Sequence, residues 1–150
     1  FLTGCSRGFD AALEAANIKY RSPGVFSTNI SCVPAGRFRG PLRASCRLVK
    51  GSRDVARTIQ ISSRYPAYHG APIHVGDPAL IGINDLCHPD VLSRGVAVPP
   101  QEPDEVAMFW GCGMTLKAVA MASKLPLMIT EGDGAMFVTD LLASDLAIMS

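Results

Sequence analysis

The chain uses one short phrase twice. "FLTGC" at residues 1–5 and "MFWGCG" at residues 108–113 each run apolar residues into a Gly-Cys corner. Each is followed closely by an alanine-rich stretch with helical periodicity, "FDAALEAAN" in the first case and "TLKAVAMASK" in the second. A short apolar run reads as a buried strand, and the pattern behind it as an amphipathic helix. A chain that uses a strand, corner and helix at both ends is constrained to an α/β fold. A shift of 107 positions pairs Gly4 with Gly111, Cys5 with Cys112, Ala11 with Ala118 and Ala15 with Ala122. Duplication of a βα unit and independent use of the same corner both fit this.

Between the corners the pattern changes to strands. "GVFSTNISC" and "LRASCRLV" read as two strands joined by the turn-rich "VPAGRFRGP". The alternation in the second puts Ala44, Cys46 and Leu48 on a core face and Arg43, Ser45 and Arg47 on a polar face. "GSRDVARTIQISSRY" is expected to be a helix, with Ser52 as its N-cap, Asp54 in its first turn and Val55, Ala56 and Ile59 turned inward. In the first helix Asn17 is the expected stop, and in the last Thr115 lies near the cap, with Leu116, Val119, Ala120 and Ser123 along one face. "PIHV" reads as a short strand and Asp77-Pro78 as the start of a helical turn. "LPLMIT" reads as a strand, "EGDGA" as a turn, and "FVTDLLASDLAIM" as a short strand passing into a terminal helix. The expected architecture is therefore two interleaved sheet-and-helix lobes, with mixed sheets flanked by helices. Residues 24–83 form one sub-lobe and residues 1–23 with 106–150 the other, joined by a polar, proline-containing linker at about 84–105.

Composition limits the function classes. With 48% hydrophobic residues in 150 and a net charge of +1, the chain can bury a real core. No apolar stretch reaches the roughly 18 to 20 residues of a membrane span, and no secretory signal is visible. The five cysteines, Cys5, Cys32, Cys46, Cys87 and Cys112, form no CxxC pair and fit reduced thiols. An intracellular protein of cytoplasm or mitochondrial matrix is the expectation. Phe1 falls in what reads as the middle of a strand, so an upstream segment of the same protein is expected as a partner. Seven basic residues lie between Arg37 and Arg57, but aromatics are few and no nucleic-acid-binding motif is present, so a nucleic-acid partner is not expected.

Three features carry chemistry. Glycine at a strand end lets a ligand approach the backbone, and the following helix start presents N–H groups, so Cys5, Gly111 and Cys112 are candidate substrate contacts. An exposed cysteine at such a corner is expected to have a lowered pKa. "AGRFRGP" sets Arg37 and Arg39 on a braced loop where guanidinium forks can grip carboxylates. "SSRYPAYHGAPIHVGDP" gathers Arg64, Tyr68, His69, His74 and Asp77 among prolines and glycines. One histidine oriented by Asp77 is a candidate for general acid–base work. Structural hydrogen bonding by the histidines is the plainer alternative, and a divalent metal is left open.

"FLTGCSRGFDAAL", "TNISCVPAGRFRGPL", "ISSRYPAYHGAPIHVGDPALIGI", "FWGCGMTLKAVAMAS" and "MFVTDL", in this order, resemble the D-glutamate cyclase family over essentially the whole chain. Family members are longer, so the resemblance implies that this chain is a carboxyl-terminal portion. It also implies a hydro-lyase that cyclises D-glutamate to 5-oxo-D-proline, with a small carboxylate or amino acid as substrate. On these motifs carboxylate binding falls to Arg37, Arg39 and Arg64, acid–base roles to His69 or His74 with Asp77, and oxyanion or substrate contacts to the corners at Cys5, Gly111 and Cys112. The chain departs from the family at "TEGDGAMF", where Glu131 and Ala135 stand in place of histidines. Glu131 is then a substitute base, with Asp133 an extra carboxylate. A non-catalytic domain binding a small carboxylate or a protein, a cysteine-nucleophile amidase and a homo-oligomer remain open alternatives.

Overall fold

The structure is a computed structural model that describes residues 3–132 and 135–148. Its frame is one open sheet of six strands, β1 (Tyr20–Arg21), β2 (Gly24–Ser31), β3 (Pro41–Lys50), β4 (His74–Val75), β5 (Val91–Leu92) and β6 (Glu105–Gly111). The order is β4-β6-β3-β2-β5, with β1 also on β3, and every described pairing is antiparallel. Three helices flank it, α1 (Asp10–Ala15), α2 (Ser52–Ser63) and α3 (Met114–Ala122), so the fold is α/β as expected. Strands from both expected sub-lobes share this sheet, since β3 pairs with β6 from Ala44↔Gly111 to Lys50↔Glu105.

Successive side chains of a strand point to opposite faces, and here both faces are apolar. Ala44, Cys46 and Leu48 of β3 join Ala107 and Phe109 of β6, Phe26, Ile81 and Ile83 in one core. Val49, Met108 and Trp110 turn the other way and pack with Phe9, Leu13 and Ile18, and with Val55 and Ile59 of α2. This corrects the expectation of a polar second face on β3. Arg47 is only 3% exposed, because α1 and the turn before it cover that face. The Arg47 guanidinium donates to the Asp10 carboxylate at 2.6 and 3.0 Å and to the Ser6 carbonyl at 2.9 Å. It also lies over the rings of Phe9 (4.6 Å), Trp110 (5.1 Å) and Tyr20 (5.5 Å). A buried cation is thus matched by one carboxylate and three aromatic faces.

The local expectations hold unevenly. Asn17 ends the first helix with φ 56, a conformation that breaks helical hydrogen bonding. Gly51, not Ser52, is the N-cap of α2, since its φ of 74 supplies the turn that Ser52 cannot. Leu116 is exposed, while Ala120 carries the buried face of α3. Thr3, Gly4 and Cys5 lie in no strand, and Phe1 and Leu2 are outside the described residues. "LPLMIT" and "FVTD" form no strand, because neither finds a neighbour for its ladder among the described residues, and a 3-10 turn at Ala143–Leu146 replaces the expected terminal helix. Asp133 is outside the described residues, as are parts of the "EGDGA" turn and the last two residues.

The stretch expected as a linker is fastened at its end. Glu105 is buried and takes the Arg21 guanidinium on both carboxylate oxygens and the Glu102 N–H at 2.9 Å, while Arg21 also donates to the carbonyls of Pro99 (3.2 Å) and Pro100 (3.0 Å). Arg21 holds the Glu105 carboxyl below its ordinary pKa of 4.5. The folded carboxylate therefore resists protonation more than the unfolded one, so its stabilisation is present above pH 4.5 and is lost as pH falls through the folded value. Glu105→Gln is expected to cost roughly 1.5–3 kcal/mol at pH 7, a loss that shrinks on acidification below pH 4.5. Urea unfolding at pH 7 and at acid pH measures it, and an equal loss at both would remove the ion pair as its cause.

Candidate active site

Three segments meet where β6 ends. Beyond Gly111 the chain is stitched to β3, because the Cys112 N–H donates to the Arg43 carbonyl at 3.0 Å. The Thr115 hydroxyl accepts from the Arg43 N–H at 3.0 Å and donates back to its carbonyl at 3.3 Å. The loop after α2 folds back on itself through the N–H groups of Tyr68 and Gly70, both donating to the Tyr65 carbonyl (2.8 and 3.0 Å). It is hung on β6 by the buried Trp110 indole, whose N–H donates to the Gly70 carbonyl at 3.1 Å. Gly4 presses on that loop so closely that a Cβ there would lie 1.7 Å from the Ala67 carbonyl oxygen, and a Cβ on Gly113 would lie 3.5 Å from the Gly4 carbonyl. At Gly4 only glycine fits such an approach. The two Gly-Cys corners are therefore neighbours, and residues 65–70 lie against both.

His69 sits at this junction. A Cβ placed on Gly111 would be 3.8 Å from His69 Nδ1, so the imidazole packs against the second corner. The Gly4 carbonyl of the first corner faces the ring and favours its protonated form. Its Nε2 is buried and has no hydrogen-bond partner among the described residues. Burial pushes its pKa below the ordinary 6.5, with a further push from the Arg47 cation. The backbone of His69 is left-handed, with φ 79, a conformation that costs a non-glycine residue of order 1–3 kcal/mol and clusters at functional positions. A neutral imidazole with one buried, unpaired nitrogen is suited to accept or relay a proton.

The second corner does not behave as an exposed cysteine would. Burial raises the Cys112 pKa, a charge on Cys5 would raise it further, and the Met114 N–H, Arg43 and Arg7 oppose the shift without cancelling it. Cys112 is thus a thiol at neutral pH, since the lowering expected of an exposed cysteine does not apply to a partly buried one, and this weighs against a cysteine nucleophile. Cys46 is pushed up to about 12 by burial and is inert. The Cys112 N–H is taken by Arg43, and the Met114 N–H points to the Cys112 sulfur.

The remaining expected site residues are placed elsewhere. His74 bonds through Nε2 to the main-chain carbonyl of Asp77 at 2.8 Å, and its ring leans on Phe109 at 5.9 Å. The Asp77 carboxylate accepts the Ala79 N–H at 2.9 Å and caps the turn Pro78–Ile81, so it does not orient the imidazole. Arg37 and Arg39 are exposed on the β2–β3 hairpin, with the Arg39 guanidinium on the Gly36 carbonyl (3.1 Å). The Arg37 carbonyl takes the Ser123 hydroxyl (3.2 Å), just past the C-terminal end of α3 and so a helix length from the corner. Arg64 is exposed beyond α2, with its carbonyl accepting from the Ile148 N–H at 2.7 Å. Glu131 is exposed and accepts the Thr130 hydroxyl at 2.9 Å. No group of three His, Cys, Asp or Glu that could hold a metal occurs among the described residues.

Two clefts open on the described surface, and neither is lined by His69 or by the cysteines of the two corners. One of about 180 Å³ is lined in part by Asp85, Asp90, His88 and Ser27, an acidic surface that repels carboxylates. The other, of about 320 Å³, opens beside the start of α3, between Arg43, Met114, Lys117, Ala118 and Met121. Sequence reading did not single out Arg43 or Arg47 for the site. In sequence Arg43 is a polar-face residue of the second strand, but its position against Cys112 depends on the pairing of β3 with β6.

The family model described as D-glutamate cyclase matches residues 1–140. A relative from Methylobacterium radiotolerans named "Putative hydro-lyase" is 47% identical over 99% of this chain and 55% of its own length. One of the same name from Geobacillus kaustophilus is 45% identical over 99% of this chain and 57% of its own length. A third, from Corynebacterium glutamicum, is 43% identical over 93% of this chain and 53% of its own. The chain spans about half the length of the curated relatives it matches.

Proposed function

The chain belongs to the D-glutamate cyclase family, and from that membership we propose that it contributes the proton-transfer site of a hydro-lyase that cyclises D-glutamate to 5-oxo-D-proline. The observation that carries this reading is the His69 Nε2, buried without a partner at the meeting of the two Gly-Cys corners. In the reaction the amino nitrogen attacks the γ-carboxyl carbon, a C–N bond forms and a C–O bond breaks. Two protons leave nitrogen and both end on the departing oxygen, which becomes water. A neutral imidazole can take a proton from nitrogen and return it to that oxygen, so one residue serves both steps. Arg43 lines the cleft beside α3, pairs with Asp90 at 3.0 Å and acts with Arg7 on Cys112, so we assign to these two cations the holding of a substrate carboxylate. The exposed Arg37, Arg39 and Arg64 are assigned no such role.

His74, bonded to a main-chain carbonyl, favours a second reading in which the chain only binds a small carboxylate. Incubating the purified protein, in its natural full length, with D- and L-glutamate and assaying 5-oxoproline separates the two. Turnover of D-glutamate is expected, with L-glutamate slower. A folded protein that binds D-glutamate and forms no 5-oxoproline would establish the binding reading and end the cyclase one.

A further inference from the structure

Residues 126–132 and 135–142 are rich in apolar side chains and are exposed along most of their length. Exposure runs from 36% at Met128 to 88% at Ile129, with Met136, Leu142, Leu127, Phe137 and Val138 between. Isolated exposed hydrophobics are ordinary, but so many along two short runs of one chain mark a contact surface. The two runs that carry it, "LMIT" and "MFVT", are rich in residues that favour strands, yet the described residues give neither a ladder partner. Extended apolar backbone without a neighbour leaves N–H and C=O groups unpaired, which folded proteins avoid.

What covers this surface is indicated by length. The relatives share the chain's family and nearly half of each lies outside the span they share with it. We infer that residues 127–130 and 136–142 are strand segments of a second sheet, and that the additional length of the natural protein, of the kind the relatives carry, supplies their neighbours. The occupant is then a segment of the same chain. A second copy would place two incomplete edges together and leave the relatives' extra length unexplained. The inference is independent of D-glutamate chemistry, because it rests on exposure, propensity and length alone.

Amide hydrogen exchange by mass spectrometry on the natural full-length protein tests it. Amides of 127–130 and 136–142 are expected to exchange at least about 100-fold more slowly than an unstructured chain, in the monomer and at all protein concentrations. Ile129→Asp and Phe137→Asp are each expected to lose that protection while the amides of β3 and β6 keep theirs. Exchange at unstructured rates in the unmodified protein overturns the inference. So does protection that appears only as concentration rises, which would assign the surface to a second copy.

Discussion

Asp10→Ala is expected to cost about 3–5 kcal/mol of folding stability, a large part of the roughly 5–15 kcal/mol that holds a domain of this kind together. The substitution removes only a small side chain, so the cost lies in what it leaves behind. Arg47 is 3% exposed, and Asp10 is the carboxylate that neutralises it, through Nε and Nη2. Without Asp10 the guanidinium keeps the Ser6 carbonyl and three ring faces but no counter-charge, in a site largely closed to water. Arg47→Met should be much milder, because an apolar chain of similar length suits the surrounding Phe9, Tyr20 and Trp110 and removes the desolvated charge altogether. Urea unfolding at pH 7 reads both. Losses of equal size would mean that Arg47 contributes packing and not charge, and a loss under about 1 kcal/mol for Asp10→Ala would show the pair to be solvated.

His69→Asn is expected to lower turnover of D-glutamate by about 10²–10⁴-fold while leaving stability unchanged or slightly raised. Asparagine adopts the left-handed backbone more readily than histidine, so the fold should not suffer at φ 79. Loss of activity without loss of stability would separate a catalytic role from a structural one. The pH dependence is fixed by the direction of the shift. Burial lowers the His69 pKa below 6.5, so the ring is neutral at pH 7 and kcat/KM should fall only as pH drops through that lowered value. Folding follows the same sign: the unfolded imidazole takes its proton first, so this contribution to stability is complete above pH 6.5 and is lost as pH falls through the folded value. In Arg47→Met the acid limb should move upward, because a neighbouring cation has been removed. Unchanged turnover in His69→Asn would take the residue out of the reaction.

The legible parts of the fold were those encoded locally. β2, β3, β6, α2 and α3 stand where alternation or helical spacing put them, since each pattern needs only its own neighbours. Arg47 shows the limit: alternation tells which residues share a face but not what covers that face, and the cover comes from α1, far away in sequence. "LPLMIT" shows another, because propensity for a strand becomes a strand only beside a partner. In the site, the two Gly-Cys corners facing one place and His69 as a motif were readable, and the packing of residues 65–70 against both corners was not. The arginines of "AGRFRGP" have the chemistry to hold carboxylates, but the hairpin that carries them is tied to the far end of α3. Choosing between His69 and His74 needed the hydrogen bonds, which occupy one ring and leave a nitrogen of the other unpaired.

The indole that suspends the His69 loop is the one tryptophan of these 150 residues. Trp110 is fully buried, and its single N–H holds the loop at Gly70, next to His69. The molecule therefore carries an optical reporter wired to its candidate site. A ligand that displaces residues 65–70 must strain or break that bond, and the emission of one fluorophore will record it without a label. Titration with D-glutamate followed at the tryptophan band would then report loop movement separately from chemistry, even in a variant that turns nothing over.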